Sequence, residues 1–217
     1  MLDGPVWAVV VAAGSGTRFG RPKQFEPLHG RAVVAWAVDA ARAVADGVVV
    51  VVPLERVDDL GDELAVDAVV AGGPTRSASV RRGLAAVPEA AAVVVVHDAA
   101  RPLATAELFR AVLAGLSPGA DGAVCAVPVA DTLKRLAGDG TVAETVARHD
   151  LVAVQTPQAF RADALRRAHR GDPEATDDAA LVEAAGGTVR VVRGDPCNLK
   201  LTTPADLAYA AHLLEVP

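Results

Sequence analysis

Two glycines and a short run of cations give this chain its first chemical feature. The stretch Val9 to Phe25 opens with an apolar run, passes through Ala12 and Ala13 to Gly14, Ser15 and Gly16, and then carries Arg18, Arg21 and Lys23. Small residues let backbone N-H groups approach a phosphate, because no bulky Cβ substituent stands in the way. Cationic side chains just beyond them neutralise the charge that the N-H groups orient. The pattern reads as a strand that ends in an anion cradle, and a polyphosphate is its natural guest.

Other glycine patterns fit less well. A dinucleotide fingerprint needs glycine at position 19, where Phe19 stands, and a Walker loop needs Gly-Lys-Ser/Thr, which is missing. An ordinary strand-to-helix turn would explain the two glycines but not the three cations. Of the 21 basic residues only Lys23, Lys134 and Lys200 are lysines. In so arginine-rich a chain, those three positions are candidates for a compact ammonium rather than a planar guanidinium.

These residues need elements to hold them. Strands are predicted at Val6 to Val11, Val48 to Val52, Ala68 to Ala71 and Ala92 to Val96, with helices at Ala32 to Ala45, Glu55 to Leu64 and Ser77 to Ala86 between them. Thr105 suits the N-cap of a further helix. Alternation of this kind means βαβ units, a parallel sheet and ligand sites at the carboxyl ends of its strands. The loops after Val11, Ala71 and Val96 then share one edge, the last delivering His97 to Pro102. Gly122 to Val129 is a further strand, after which the alternation breaks. Asp131 to Val146 holds two short alternating segments around Asp139-Gly140, a hairpin that predicts an arm packed on a second subunit. A strand near Leu151 to Gln155, helices from Ala162 and from a capping Thr176, a strand at Val189 to Val192 and a helix opened by Thr203-Pro204 complete the chain.

Composition limits the function. A chain of 217 residues without a composition shift predicts a single α/β domain spanning residues 1–217. Hydrophobic residues make up 52% and aromatics 3%, so the core is built from Val, Leu and Ala, as buried parallel strands require. A net charge of −6 argues against nucleic acid or an anionic membrane as partner. The N-terminal apolar run is too short for a membrane span, which predicts a cytoplasmic protein. Cys125 and Cys197 have no metal-ligand spacing and read as packed or inert thiols.

An ordered set of short matches resembles the 2-C-methyl-D-erythritol 4-phosphate cytidylyltransferases across the chain. The matching pieces are Ala12-Ala13-Gly14-x-Gly16-x-Arg18, Pro22-Lys23-Gln24, Gly72-Gly73-x-x-Arg76-x-x-Ser79-Val80, His97 to Pro102, Asp131-Thr132-x-Lys134, Thr156-Pro157-Gln158, Thr176-Asp177 and Asn198-x-Lys200-x-Thr202. The segment between Arg18 and Lys23 is shorter than is common in that family, and Asp178 stands where Glu usually follows Thr-Asp.

The resemblance implies a Rossmann-like α/β nucleotidyltransferase domain with a mainly parallel sheet flanked by helices and a protruding β-arm at about 131–150 that makes a homodimer. It implies CTP and methylerythritol phosphate as substrates and magnesium or another divalent cation as cofactor. Arg18 and Lys23 would stabilise the transferring and leaving phosphates, and Lys200 would join the α-phosphate to the incoming phosphate. Ala12, Ala13, Gly14, Ser15, Gly16, Gly73, Arg76, Ser79, Asp98 and Ala99 match the nucleotide pocket, with Asp98 as the metal ligand. Thr132 and Arg148, from the partner's arm, would contact methylerythritol phosphate, joined by Thr156, Thr176, Asp177 and Thr202. Rival readings are a cytidylyltransferase for another alcohol phosphate such as ribitol 5-phosphate, a nicotinamide-dependent oxidoreductase, and a noncatalytic nucleotide-binding module. The last would have little use for Lys200 and Arg148 on a second anion subsite.

Overall fold

A computed structural model describes residues 4–215. In chain order it contains β1 (Val6–Val11), a 3-10 turn at Lys23–Phe25, a ribbon of β2 (Pro27–Leu28) and β3 (Arg31–Ala32), then α1 (Val33–Arg42) and β4 (Gly47–Val52). Next come α2 (Val57–Leu64), β5 (Ala68–Ala71), α3 (Arg76–Ala86), β6 (Val93–Asp98), α4 (Ala106–Gly115) and β7 (Gly122–Pro128). The remainder is β8 (Leu133–Leu136), β9 (Val142–Val146), β10 (Val152–Arg161), α5 (Ala162–Ala168), α6 (Asp178–Ala184), β11 (Val189–Arg193) and α7 (Pro204–Glu215).

Seven strands form the central sheet in the order β11-β7-β10-β6-β1-β4-β5. Strand β10 runs antiparallel to both of its neighbours, and the other adjacent pairs are parallel. The predicted mainly parallel α/β arrangement is therefore present. From β1 the chain adds β4 and β5 on one side and then crosses to place β6 on the other. Their junction is a topological switch point, where loops leave in opposite directions and open a crevice. Val11 is in register with Asp98, so both strands end level at that crevice.

The valine runs are buried on both faces, which is why they read as continuous apolar segments rather than as alternation. Ala8 and Val10 of β1 join a cluster with α1 and α4, while Val9 joins another with α3 and α5. Helix α3 comes so close that a Cβ on Gly83 would strike the methyls of Val9 and Val51.

Three sequence expectations change. The strand expected at Ala92 to Val96 extends through Asp98, which is thus a strand residue fixed by the ladder rather than part of a loop. The strand expected to stop at Gln155 continues through a cis Thr156-Pro157 bond and a register shift to Arg161. Helix α6 is capped by Asp177, whose side chain accepts from the Ala180 N-H, and not by Thr176, which is exposed. The helix expected to open at Thr203-Pro204 is present as α7, with Pro204 its first residue, and the Asp206 carboxylate completes that end by accepting from the N-H groups of Thr202 and Thr203, both at 2.7 Å.

The hairpin of β8 and β9 forms its own two-stranded sheet around the Asp139-Gly140 turn. Leu136 and Val142 remain 62% and 56% exposed on it, and Val152 and Val154, where β10 approaches the main sheet, are 45% and 39% exposed. These apolar side chains are left uncovered within one chain.

Candidate active site

The crevice at the switch point is a cavity of about 380 Å³. Its first wall is the loop leaving β1, where Ala12, Ala13, Gly14 and Ser15 line the space. The loop stays close to the sheet because the Ala12 N-H donates to the Val51 carbonyl at 2.7 Å. Gly16 is not in the wall. It makes the turn, at a positive φ of 68°, and a Cβ there would collide with the Arg21 carbonyl. The Gly16 carbonyl accepts from Phe19 at 2.8 Å and from Gly20 at 2.9 Å, and Phe19 is buried beneath the turn.

The cations that follow divide into two groups. Arg18 and Lys23 line the cavity, and Lys200 joins them from the far end of the chain. Arg21 faces away, its guanidinium holding Glu26 through two contacts of 2.6 Å. Lys134, the third lysine, lies on the arm and donates to Thr145. Burial lowers the pKa of the Lys23 ammonium, and the nearby charges of Lys200 and Arg18 lower it further.

The short Arg18 to Lys23 segment still brings Lys23 into the cavity, and Gln24 is the reason. This side chain is 3% exposed, and its amide donates to the carbonyls of Ala12 at 2.7 Å and Gly14 at 2.9 Å. It ties the 3-10 turn carrying Lys23 to the glycine loop. Gln24 stood in the Pro-Lys-Gln match without a role, because only the closed loop shows what its amide reaches.

The opposite wall comes from α3 and β6. Gly73, Arg76 and Ser79 line it, joined by Thr75, which caps α3 by accepting from the Ala78 N-H. Ser79 Oγ accepts from the Gly73 N-H at 3.1 Å and donates to the Thr75 carbonyl at 2.9 Å, which fixes the Gly-Gly turn. Asp98 projects into the cavity and Ala100 borders it, whereas Ala99 is fully buried behind the wall and donates its N-H to Val11.

Asp98 is the hinge of the site's electrostatics. Its Oδ2 lies 2.6 Å from Lys200 Nζ and its Oδ1 3.1 Å from Arg76 Nε. Burial alone would push this carboxyl up, but Arg76 and Lys200 outweigh it and hold the group well below the usual carboxylate range. The Asp98 N-H donates to Thr156 Oγ1 at 3.0 Å. Thr156 is itself buried and 3.0 Å from His97 Nδ1, while His97 Nε2 donates to the Arg101 carbonyl at 3.3 Å. That arrangement makes the imidazole a neutral spacer under the site.

Among the described residues no group of three or more His, Cys, Asp or Glu is placed to hold a metal. The donor set, one carboxylate in a cation-lined cavity, fits an ion such as magnesium that takes most of its oxygens from water and bound phosphates. Thr132 and Arg148 lie on the exposed arm, where Arg148 donates to the Ala130 carbonyl, and are not among the cavity's lining residues. Asp177 caps α6 and accepts from Gln158, and Thr202 Oγ1 donates to the Lys200 carbonyl.

Cations gathered about a glycine loop where the strand order reverses suit a reaction between phosphates, and this sheet with this placement is that of the nucleotidyltransferases. Comparison with known proteins narrows the class. A sequence model of the IspD family, 2-C-methyl-D-erythritol 4-phosphate cytidylyltransferase, matches residues 6–216. A protein of that name from Nocardia farcinica is 46% identical over 220 residues, covering 98% of this chain and 95% of its own. The crystal structure of 4-diphosphocytidyl-2C-methyl-D-erythritol synthase from Anaerococcus prevotii has a TM-score of 0.85 at 29% identity, over 98% of this chain and 99% of that one. The crystal structure of the Thermus thermophilus cytidylyltransferase has a TM-score of 0.81 at 36% identity, over 96% and 98%. The chain belongs to the 2-C-methyl-D-erythritol 4-phosphate cytidylyltransferase family. It is a nucleotidyltransferase that places a cytidylyl group from CTP on 2-C-methyl-D-erythritol 4-phosphate.

One pH dependence follows from the layer beneath the cavity. Burial lowers the His97 imidazole from 6.5 to about 4, with Asp98 pulling the other way. Between those values the unfolded chain binds a proton that the folded protein refuses, so stability falls as pH drops from 6.5 toward 4, by roughly 3 kcal/mol. The depressed Asp98 carboxyl acts lower: its contribution is present above 3.8 and is lost as pH falls below that. Urea unfolding at pH 7, 5 and 4 should show the decline, and a His97→Gln variant should flatten it. An equally steep decline in the variant would assign the acid sensitivity to other groups.

Proposed function

We propose that the whole chain works as one nucleotidyltransferase domain in which the switch-point cavity binds CTP and carries the transfer. The carrying observation is the convergence of Arg18, Lys23 and Lys200 on one cavity whose floor is a glycine loop. Ala12 to Ser15 and Gly73 let backbone approach the triphosphate, Gly16 shapes the turn behind them, and Arg18 and Lys23 sit where charge gathers on the transferring and leaving phosphates. Lys200 bridges the α-phosphate and the incoming phosphate.

The nucleophile needs little activation. A phosphate monoester has a second pKa of about 6, so it is mostly dianionic at neutral pH. One of its oxygens attacks the α-phosphorus of CTP, the bond to the β-phosphate oxygen breaks, and pyrophosphate leaves. The obstacle is the approach of one anion to another, so catalysis consists of positioning and charge stabilisation. Magnesium, held through Asp98, would neutralise phosphate charge.

The arm supplies the rest. Thr132 and Arg148 are exposed and lie apart from the cavity of their own chain, and the uncovered Leu136, Val142, Val152 and Val154 suit burial against a second copy. The reading is a homodimer in which the partner's arm brings Thr132 and Arg148 to the alcohol phosphate. Thr156, Asp177 and Thr202 then serve mainly by fixing Asp98, α6 and the Lys200 segment, while Thr176 stands exposed beside the start of α6. A cytoplasmic setting agrees with CTP as substrate and with free thiols at Cys125 and Cys197.

Pyrophosphate release should require CTP with methylerythritol phosphate, and ribitol 5-phosphate should be a poor replacement. Lys23→Ala and Lys200→Ala should each lower kcat on the order of 100-fold or more. Near-parental turnover in either would remove that lysine from the transfer step. Mixing inactive Arg148→Ala and Lys23→Ala subunits should restore part of the activity, because one mixed site recovers both residues. An inactive mixture that nevertheless forms heterodimers would contradict the shared site.

A further inference from the structure

A line of buried charge runs from the cavity into the body of the protein. Lys200 meets Asp98, and Asp98 meets Arg76. The same guanidinium donates through its NH1 nitrogen to Asp178 Oδ2 at 2.8 Å, and Asp178 Oδ1 lies 3.0 Å from His169 Nε2. A carboxylate only accepts, so His169 Nε2 is the donor. Asp178 is the innermost charge, with its side chain 0% exposed, and that of His169 is 3% exposed.

A fully buried carboxylate costs several kcal/mol unless partners surround it. Asp178 has Arg76 and His169 for that purpose, and it is not among the cavity's lining residues. Its ordinary explanation would be helix capping, but Asp177 already caps α6. The consequence lies in the shape of guanidinium. Its donors form a rigid planar fork, so holding NH1 on Asp178 restricts where Nε can lie. That sets Asp98 Oδ1, and with it the direction in which Oδ2 faces Lys200.

The anchor is itself held. Arg81 donates to the Pro173 carbonyl at 2.7 Å and Thr75 Oγ1 to Glu174 at 2.8 Å. These bonds fasten the segment leading to α6 against α3, the helix that begins with Arg76.

We infer that Asp178, held by His169, is a positioning residue for cytidylyl transfer, acting through Arg76 and Asp98 on the ammonium of Lys200. The inference rests on the proposed role of Lys200, and a change of this kind acts on kcat more than on CTP binding.

Single-turnover rates and KM for CTP should be measured for Asp178→Asn, Lys200→Ala and the double variant. Asp178→Asn should slow transfer about tenfold or more, in the range expected from misplacing a catalytic group, with KM for CTP changing less than about threefold. In the Lys200→Ala background the same substitution should cost almost nothing. Equal losses in both backgrounds would make Asp178 a general structural residue, and a parental rate in Asp178→Asn would overturn the inference outright. A parental rate in Lys200→Ala would instead defeat the reading of Lys200, and the positioning role with it. If Asp178→Asn does not fold, His169→Phe keeps the packing and removes the bond to Asp178. It should slow transfer several-fold in the parent and not in Lys200→Ala, and an unchanged rate in the parent would overturn the inference.

Discussion

Asp98 holds two cations on one carboxylate at the end of a buried strand. Desolvating that charge is costly, and the ion pairs offset the cost only while both partners stay in place. The strand ladder fixes the Asp98 backbone level with Val11, and Thr156 takes its N-H. Lys200 must come from the far end of the chain to complete the pairing. A set of bonds brings it there: Leu201 N-H to the Ala100 carbonyl at 2.8 Å, Arg101 to the Asn198 carbonyl at 2.7 Å, and Asn198 to the Thr156 carbonyl at 2.9 Å. Much of the chain's second half thus serves to deliver one ammonium.

The glycine loop works against the same background of charge. Lys23, Arg18 and Lys200 are close enough that burial and mutual repulsion depress the Lys23 ammonium. Only Asp98 among the cavity's lining residues is acidic. Positive charge already gathered in this way needs little rearrangement to meet a polyphosphate, which is the condition for electrostatic preorganisation. Gln24 keeps the arrangement rigid by spending its buried amide on the loop's own carbonyls. The repulsion among the cations and the fixed loop are two faces of one device.

The sequence carried the parts of this design that depend on local rules. Valine runs marked the parallel strands because both faces are buried, and the small residues at Ala12 to Gly16 marked the loop because only they leave backbone accessible. The scarcity of lysine singled out Lys23 and Lys200, though it singled out Lys134 equally. What stayed hidden depends on closure in space. Nothing near Arg21 in sequence says that it turns to Glu26 while Arg18 turns inward. Asp178 meets Arg76 across 102 positions, and adjacent Asp177 and Asp178 differ only in which side of the helix start they occupy. In sequence Thr156-Pro157 reads as a break, whereas strand β10 continues past it to Arg161. That the hairpin leaves Leu136 and Val142 uncovered within one chain is likewise a property of the folded chain and not of local sequence.

The central claim is that Asp98 organises the cations for the chemical step rather than attracting the nucleotide. Measuring the single-turnover rate and the metal-free CTP affinity of an Asp98→Asn variant tests it most directly. The account predicts a rate lower on the order of 100-fold with metal-free CTP binding as tight as in the parent or tighter, because a negative charge has left an anion site. A variant that transfers cytidylyl at the parental rate would contradict it.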